Sequence, residues 1–378
     1  ILIILSAVMP VYVFVRYPTF ISTGFKGEPV DIVMGTILIL LVLECSRRIS
    51  GPALSVLSIV FLVYGVFGRS MPWFFMHRGY SWSRIVTYLT TDIYGIYGSS
   101  VKVSATYIVL FIIFGEVMNK CGMGQFFNDI ANALAGHTRG GPAKVAVLAS
   151  GFLGSINGSA VANVVTTGTF TIPLMKKQKY RDEFAGAVEA VSSTGGQLMP
   201  PVMGAAAFLM AEATAIPYGT ICLAALVPAL MYYICIFSTV DVESLKANLT
   251  GMDLKDIPKL LPVLKKSAKL LLPIAVLILS LCVFGFSTSR SALYSMAVLI
   301  ICCCFDKDDR FSLKKLVNAL RSGAIGSTTV ITATAICGII ISMLTMTGLG
   351  VKFSSLLISL GSSSLLISLL LAMLVCIV

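Results

Sequence analysis

Long stretches with few or no charged residues, each long enough to cross a lipid bilayer, recur from one end of this chain to the other. A spanning helix needs about 20 mostly apolar residues to cover about 30 Å of hydrocarbon. Ile1–Val15 reads as the rear part of one such helix. Asp31–Leu43 with its flanks, Pro52–Gly68, Val101–Met118, Pro217–Phe237, Leu270–Phe286 and Ala292–Phe305 follow. Composition agrees with this pattern. Charged residues make up 12% of the 378 residues, against about 25% in soluble domains. Hydrophobic residues make up 57%, and the mean hydropathy is +0.93. So little charge cannot clothe soluble domains, and so much apolar area excludes a disordered chain. The expectation is an all-α, polytopic membrane protein with the lipid bilayer as its solvent.

The net charge of +11 does not imply nucleic-acid binding. Its lysines and arginines form short clusters between apolar runs, as the positive-inside rule requires. Placing the clusters at 47–48, 176–181, 241–269 and 307–315 on the cytoplasmic side gives a consistent topology. The turn at 287–291 then falls outside, with one span on either side. Trp73, Tyr80, Trp82 and Tyr88 gather with Arg78 and Arg84 in an amphipathic stretch suited to the headgroup region. Gly124–Gly136 reads as a short connecting helix. Nine of the ten cysteines lie in or beside apolar runs without zinc-ligand spacing, and read as apolar filler. The chain opens on Ile1-Leu2-Ile3-Ile4 and stops at Val378 inside an uncharged run. Those ends suggest an internal piece of a longer polypeptide.

Residues 145–175 carry no charge, yet Gly, Ser, Asn and Thr interrupt them. The polar centre runs Gly151-Phe-Leu-Gly154-Ser155-Ile-Asn157-Gly158-Ser159-Ala160-Val-Ala162-Asn163, followed by Thr166-Thr167-Gly168-Thr169. Irregular backbone at membrane depth is tolerated only where protein or a cavity surrounds it. The pattern suits a helical hairpin that enters and returns on one side. At its tip, carbonyls and hydroxyls can hold a cation, and exposed N–H groups can hold an anion. Close packing through small residues is the competing reading. It accounts for Gly and Ala but not for the two asparagines or the Thr-Thr-Gly-Thr tail.

A second interruption follows at Ser192-Ser193-Thr194-Gly195-Gly196-Gln197, with Pro200-Pro201 and Gly204. Two glycines and two prolines break the helix begun at Glu183, which resumes over Val202–Ala211. Carbonyls near Thr194 and Gly195 suit Na⁺, and a purely structural kink is the alternative. Glu189 and Glu212 flank this break. Intramembrane carboxylates are costly and usually functional, so either is a candidate proton carrier or a partner for a lysine. A third stretch, Ser327-Thr328-Thr329 through Gly338 to Thr345-Met346-Thr347-Gly348-Leu349-Gly350, loosely repeats the first. Paired interruptions of this kind point to a transporter built from repeats. His77 and His137 sit in loops beside arginines. No zincin, Walker or Rossmann pattern and no Gly-x-Ser-x-Gly elbow occurs, so no enzyme is expected.

Several of these stretches resemble a known family. They are Gly158-Ser-Ala-Val-Ala-Asn-Val-Val-Thr-Thr-Gly-Thr-Phe-Thr-Ile-Pro-Leu-Met175, Ala185-Gly-Ala-Val-Glu-Ala190, Ser193-Thr-Gly-Gly-Gln-Leu-Met-Pro-Pro-Val-Met-Gly-Ala-Ala-Ala-Phe208 and Thr345-Met-Thr-Gly-Leu-Gly-Val-Lys-Phe353. All resemble the fused permease subunit of tripartite ATP-independent periplasmic (TRAP) transporters, in the branch served by TAXI-type solute-binding proteins. The resemblance runs from about residue 30 onward. It implies Na⁺-coupled uptake of an organic anion, delivered by a periplasmic TAXI-type binding protein, in the inner membrane of a bacterium or archaeon. It also implies an elevator-type fold of inverted repeats with re-entrant hairpins and discontinuous helices.

Carried onto this chain, it makes residues 1–100 a scaffold of small-subunit type. Residues 101–240 become the first transport half, with the hairpin at about 143–175 and the broken helix at 183–211. Residues 241–321 become a connecting region, and 322–378 the start of the second half, with a second hairpin beginning near Gly338 to Gly348. Ser155, Asn157, Gly158, Ser159 and Asn163 are the expected substrate contacts. Ser155, Asn157, Thr194, Gly195, Thr345 and Gly348 are the expected Na⁺ ligands. The family's second half continues into a Gly-Leu-Pro-Thr-Thr-like unwound helix that this sequence lacks, so the second half is expected to be incomplete.

Overall fold

A computed structural model describes residues 2–22, 28–252, 255, 257–304, 312–361 and 365–377. Among these, every regular element is a helix. Six helical stretches are long and apolar enough to cross a membrane: Ile3–Phe20, Pro29–Ile49, Pro52–Ser70, Ser99–Lys120, Tyr218–Lys246 and Leu313–Thr347. The chain is a multi-pass membrane protein. It divides into two compact units, residues 1–102 with 329–378, and residues 103–328.

The first unit begins with α1 (Leu2–Ser22), α2 (Pro29–Ile49), α3 (Pro52–Phe67) and α4 (Trp82–Thr91). A capping box starts α2: Glu28 and Asp31 each serve the other's backbone N–H, satisfying donors that a helix start leaves open. Arg16 of α1 reaches both acids, at 2.7 and 3.1 Å. The interfacial stretch becomes α4, which turns Ile85, Val86 and Leu89 inward. They join Ile39, Leu62, Ile336, Ile339 and Met343 in the core. Exposed Trp73 and Trp82 stay at the surface.

Past α5 (Ser99–Val103) and a π-turn over Ser104–Ile108, the second unit runs through α6 (Val109–Lys120), α7 (Met123–Ala135), α8 (Gly141–Asn157) and α9 (Ala160–Lys177). It continues through α10 (Asp182–Gly195), α11 (Ala205–Thr214), α12 (Tyr218–Lys246), α13 (Leu260–Ser267), α14 (Leu271–Ile278) and α15 (Thr288–Cys304). Helix α8 lies at its centre, packed on α6, α7, α9, α10 and α12. Its small residues permit this. Ala143, Ala146, Ala149, Ser150 and Gly151 are all buried, and small side chains let helix backbones approach closely in a membrane.

Helix α12 runs nine residues past the apolar stretch that ends at Phe237, into what the sequence suggests is a polar loop. The extension is anchored. Asp241 binds Arg139 at 2.8 Å and Lys144 at 2.5 Å, and Ser244 Oγ lies 2.7 Å from the Tyr180 hydroxyl. Of the basic cluster expected at 307–315, residues 307–311 lie outside the described residues.

Helix α16 (Leu313–Thr347) passes unbroken through the Thr- and Gly-rich stretch, Gly338 included. Its hydroxyls explain this. Ser327, Thr328 and Thr334 each donate to the carbonyl four residues back, at 2.7, 3.1 and 3.0 Å, so they need no break in the helix. The chain turns only at Gly348, whose φ of +69° suits a residue without Cβ. Helices α17 (Leu349–Gly361) and α18 (Leu365–Ile377) follow.

Candidate functional site

Helices α8 and α9 form a hairpin whose turn is Asn157-Gly158-Ser159. Gly158 takes φ +61° and caps α8, its N–H donating to the Gly154 carbonyl at 3.1 Å. The next two polar side chains start α9. Asn157 Oδ1 accepts the Ser159 N–H at 3.1 Å, and Ser159 Oγ accepts the Ala162 N–H at 3.3 Å. Ser155 Oγ folds back on the Phe152 carbonyl at 2.7 Å. Asn163 is wholly buried, and its amide nitrogen donates to the Ser150 carbonyl at 2.8 Å.

Helix α10 ends at Gly195, and the chain resumes as helix only at Ala205. The break is a series of tight turns. Gln197 N–H donates to the Thr194 carbonyl at 3.1 Å, and Leu198 N–H to the Gly195 carbonyl at 3.0 Å. The Thr194 carbonyl also meets the Gly196 N–H, whereas the Gly195 carbonyl keeps one lone pair free of the turn. The Thr194 hydroxyl is exposed and bonds back to the Ala190 carbonyl at 2.8 Å. The break packs over the hairpin tip: Val202 N–H donates to the Ser155 carbonyl at 3.0 Å. A Cβ on Gly158 would lie 2.1 Å from the Met203 carbonyl oxygen.

Helix α12 completes the site. Past the end of α10 the Gly196 N–H donates to the Ser193 carbonyl, at 3.2 Å, and not to that of Ser192. The Tyr233 hydroxyl donates to the Ser192 carbonyl and the Tyr232 hydroxyl to the Val191 carbonyl, each at 2.9 Å. Tyr218 holds the break itself, donating to the carbonyls of Pro201, at 3.2 Å, and Val202. Reading the sequence does not single out these tyrosines, since an apolar helix offers no local reason for them.

Ser155, Asn157, Gly158, Ser159, Asn163, Thr194 and Gly195 thus gather in one unit, around the contact of hairpin and break. Thr345 and Gly348 belong to the other unit; there the Thr345 carbonyl accepts the Gly348 N–H at 3.2 Å. Two buried polar atoms near the tip lack a hydrogen-bond partner, Asn157 Nδ2 and Asn163 Oδ1. Buried polar atoms are rarely left so. One is a donor fit for a carboxylate oxygen, the other an acceptor fit for a cation. Among the described residues no group of three or more His, Cys, Asp or Glu could hold a metal ion. The oxygens here are amide, hydroxyl and carbonyl, the donors a hard monovalent cation accepts.

Glu189, flagged in the sequence, is fully buried on α10. Hydroxyls of Ser150, Thr167, Thr171 and Ser193 surround it. Glu212 lies on the exposed side of α11.

Fold and site together define a helical membrane protein in which a hairpin tip meets an interrupted helix backbone to backbone. The chain belongs to the family of the tripartite ATP-independent periplasmic transporter, DctM component, whose model matches residues 37–378. Members of this family are transport permeases, not enzymes. The sialic acid TRAP transporter large permease protein SiaM of Vibrio cholerae is 31% identical over 137 residues, 34% of this chain and 32% of that protein. The C4-dicarboxylate TRAP transporter large permease protein DctM of Pseudomonas aeruginosa is 29% identical over 145 residues, 38% of this chain and 34% of that protein. The 2,3-diketo-L-gulonate TRAP transporter large permease protein YiaN of Escherichia coli is 32% identical over 94 residues, 25% of this chain and 22% of that protein. The matched stretches thus span about a third of these relatives' length or less.

Proposed function

We propose that this chain is the permease part of a secondary transporter that takes up an organic anion. A periplasmic solute-binding protein of TAXI type hands over the solute, Na⁺ drives the step, and the membrane is the inner membrane of a bacterium or archaeon. One observation carries the reading: Asn157 Nδ2 and Asn163 Oδ1 lie buried and unpartnered at the tip of the hairpin. The first offers a hydrogen to a carboxylate, the second an oxygen to a cation. The relatives' names support the substrate class, since sialic acid, C4-dicarboxylates and diketo-gulonate are all organic acids. The TAXI assignment rests on the sequence resemblance.

In this reading Ser155, Asn157, Gly158, Ser159 and Asn163 face the solute. Ser155, Asn157, Thr194 and Gly195, together with Asn163 Oδ1, give oxygens to Na⁺, and Thr345 and Gly348 serve a second ion in the other half. Backbone-lined sites bind without committing a buried arginine, and rigid movement of the hairpin-bearing region would carry the solute across.

The test is uptake of radiolabelled organic acids into proteoliposomes of the full-length permease, with its binding protein and with or without a Na⁺ gradient. Uptake that requires both supports the reading. Uptake that follows a pH gradient with choline in place of Na⁺ overturns the sodium assignment. Uptake without the binding protein overturns the tripartite one.

A further inference from the structure

Glu189 has no access to solvent, and hydroxyls from three helices surround its carboxylate. Ser150 Oγ of α8 lies 3.2 Å from Oε1, and Ser193 Oγ of α10 lies 3.1 Å from the same oxygen. From α9, Thr167 Oγ1 bonds Oε1 and Thr171 Oγ1 lies 2.5 Å from Oε2. Among the described residues Glu189 makes no ion pair. Of the charged groups on the packed helices, Lys177, Glu183 and Lys246 are exposed at the helix ends, and others are engaged elsewhere. Lys144 of α8 binds Asp241, and Lys176 of α9 binds Asp182. Glu243 of α12 binds Arg181. Tyr232 and Tyr233 of α12 donate to carbonyls of α10. A carboxylate charge held here would be balanced by hydroxyl dipoles alone, a costly arrangement in a membrane.

The hydrogens also fall short. Thr171 Oγ1 is 3.0 Å from the Thr167 carbonyl as well as 2.5 Å from Glu189 Oε2. Thr167 Oγ1 is 2.8 Å from the Asn163 carbonyl as well as bonded to Oε1. Each hydroxyl has one hydrogen for two acceptors. A hydrogen on Glu189 Oε2 removes the conflict at Thr171. It donates to Thr171 Oγ1, whose own hydrogen then goes to the Thr167 carbonyl.

We infer that Glu189 is a proton-binding site, closed by the hydroxyls of Ser150, Thr167, Thr171 and Ser193. One proton from water forms the O–H bond on the carboxyl group, and breaking that bond returns it to water. Its four partners lie on both arms of the hairpin and on the helix that breaks at Gly195. Proton occupancy therefore governs how firmly those three helices hold together. The site is separate from the oxygens proposed for Na⁺ at the tip, and the inference goes beyond the proposed function.

Infrared difference spectroscopy of the full-length permease, wild type minus Glu189→Gln, tests this without any solute or binding protein. A failed search for a transported acid therefore leaves the result readable. The expected result is one carboxylic-acid carbonyl band that shifts in D₂O, is absent from the variant, and is lost on raising pH. Glutamine keeps a hydrogen donor toward Thr171, and should fold. Thr171→Val, which removes the acceptor, should move the band without abolishing it. A difference showing only carboxylate bands at every pH overturns the inference. So does a band that Na⁺ removes at constant pH, which would make the carboxylate a sodium ligand. An unmoved band in Thr171→Val overturns the hydrogen-bond assignment.

Discussion

Gly154 and Gly196 leave each other no room for a side chain: a Cβ on Gly154 would lie 2.4 Å from the Gly196 Cα, and one on Gly196 2.6 Å from the Gly154 Cα. This is direct contact between the hairpin backbone and the broken helix. Gly196→Ala should push the two apart, at a cost of about 1–3 kcal/mol for overpacking, and abolish uptake. Gly186, on the helix that ends just before Gly196, has nothing within 4 Å of its would-be Cβ. Gly186→Ala should stabilise by roughly 0.5–1 kcal/mol through helix propensity. Thermal unfolding of the full-length protein in detergent separates the two.

Removing the Tyr233 hydroxyl leaves the Ser192 carbonyl without the partner that replaces its helical one. Tyr233→Phe should cost about 1–3 kcal/mol, the price of an unsatisfied buried acceptor. Tyr232→Phe should cost less, since its bond to Val191 is exposed. Equal effects, read from chemical denaturation, would contradict the assignment of the break to α12.

Asn157→Ala should abolish uptake while costing only the hydrogen bond from the Ser159 N–H, about 1 kcal/mol, because its amide nitrogen has no structural partner to lose. Ser159→Ala should do the reverse in part, since it removes the cap of α9, worth about 1 kcal/mol. Initial uptake rates set beside melting temperatures check this. Uptake left intact in Asn157→Ala would remove the hairpin tip from the solute site.

Lys144 is nearly buried, with 7% of its side chain exposed, whereas Asp241 is one-third exposed and has Arg139 as a second partner. Asp241→Asn strands a buried ammonium, while Lys144→Met leaves Asp241 still paired. The aspartate variant should therefore be the more destabilised, by melting temperature. The opposite order would mean that Lys144 finds another partner.

The hairpin and the broken helix were legible because Gly, Asn and Pro in an uncharged run have few other uses at membrane depth. Gly158 announces its turn, and Gly195-Gly196 with Pro200-Pro201 announce theirs. The hydroxyl ring was not legible. Within single helices, Thr167 and Thr171, or Glu189 and Ser193, are visible as neighbours one turn apart. That Ser150 completes the ring depends on how α8 packs against the other two, which no local pattern encodes. Threonine misled in α16 for a related reason: a hydroxyl bonded to its own helix looks, in sequence, like one waiting for a ligand.

The tyrosine hydroxyls on the Val191 and Ser192 carbonyls have a mechanical meaning. A helix broken in a membrane would ordinarily gain by winding itself up again. Here the Ser192 carbonyl, the first that rewinding would need, is already bonded by a neighbouring helix, and the tip of the hairpin fills the gap. The interruption is thus a standing part of the architecture, a fixed notch. Any motion of this unit can carry the notch along whole, without spending energy to open it at each cycle.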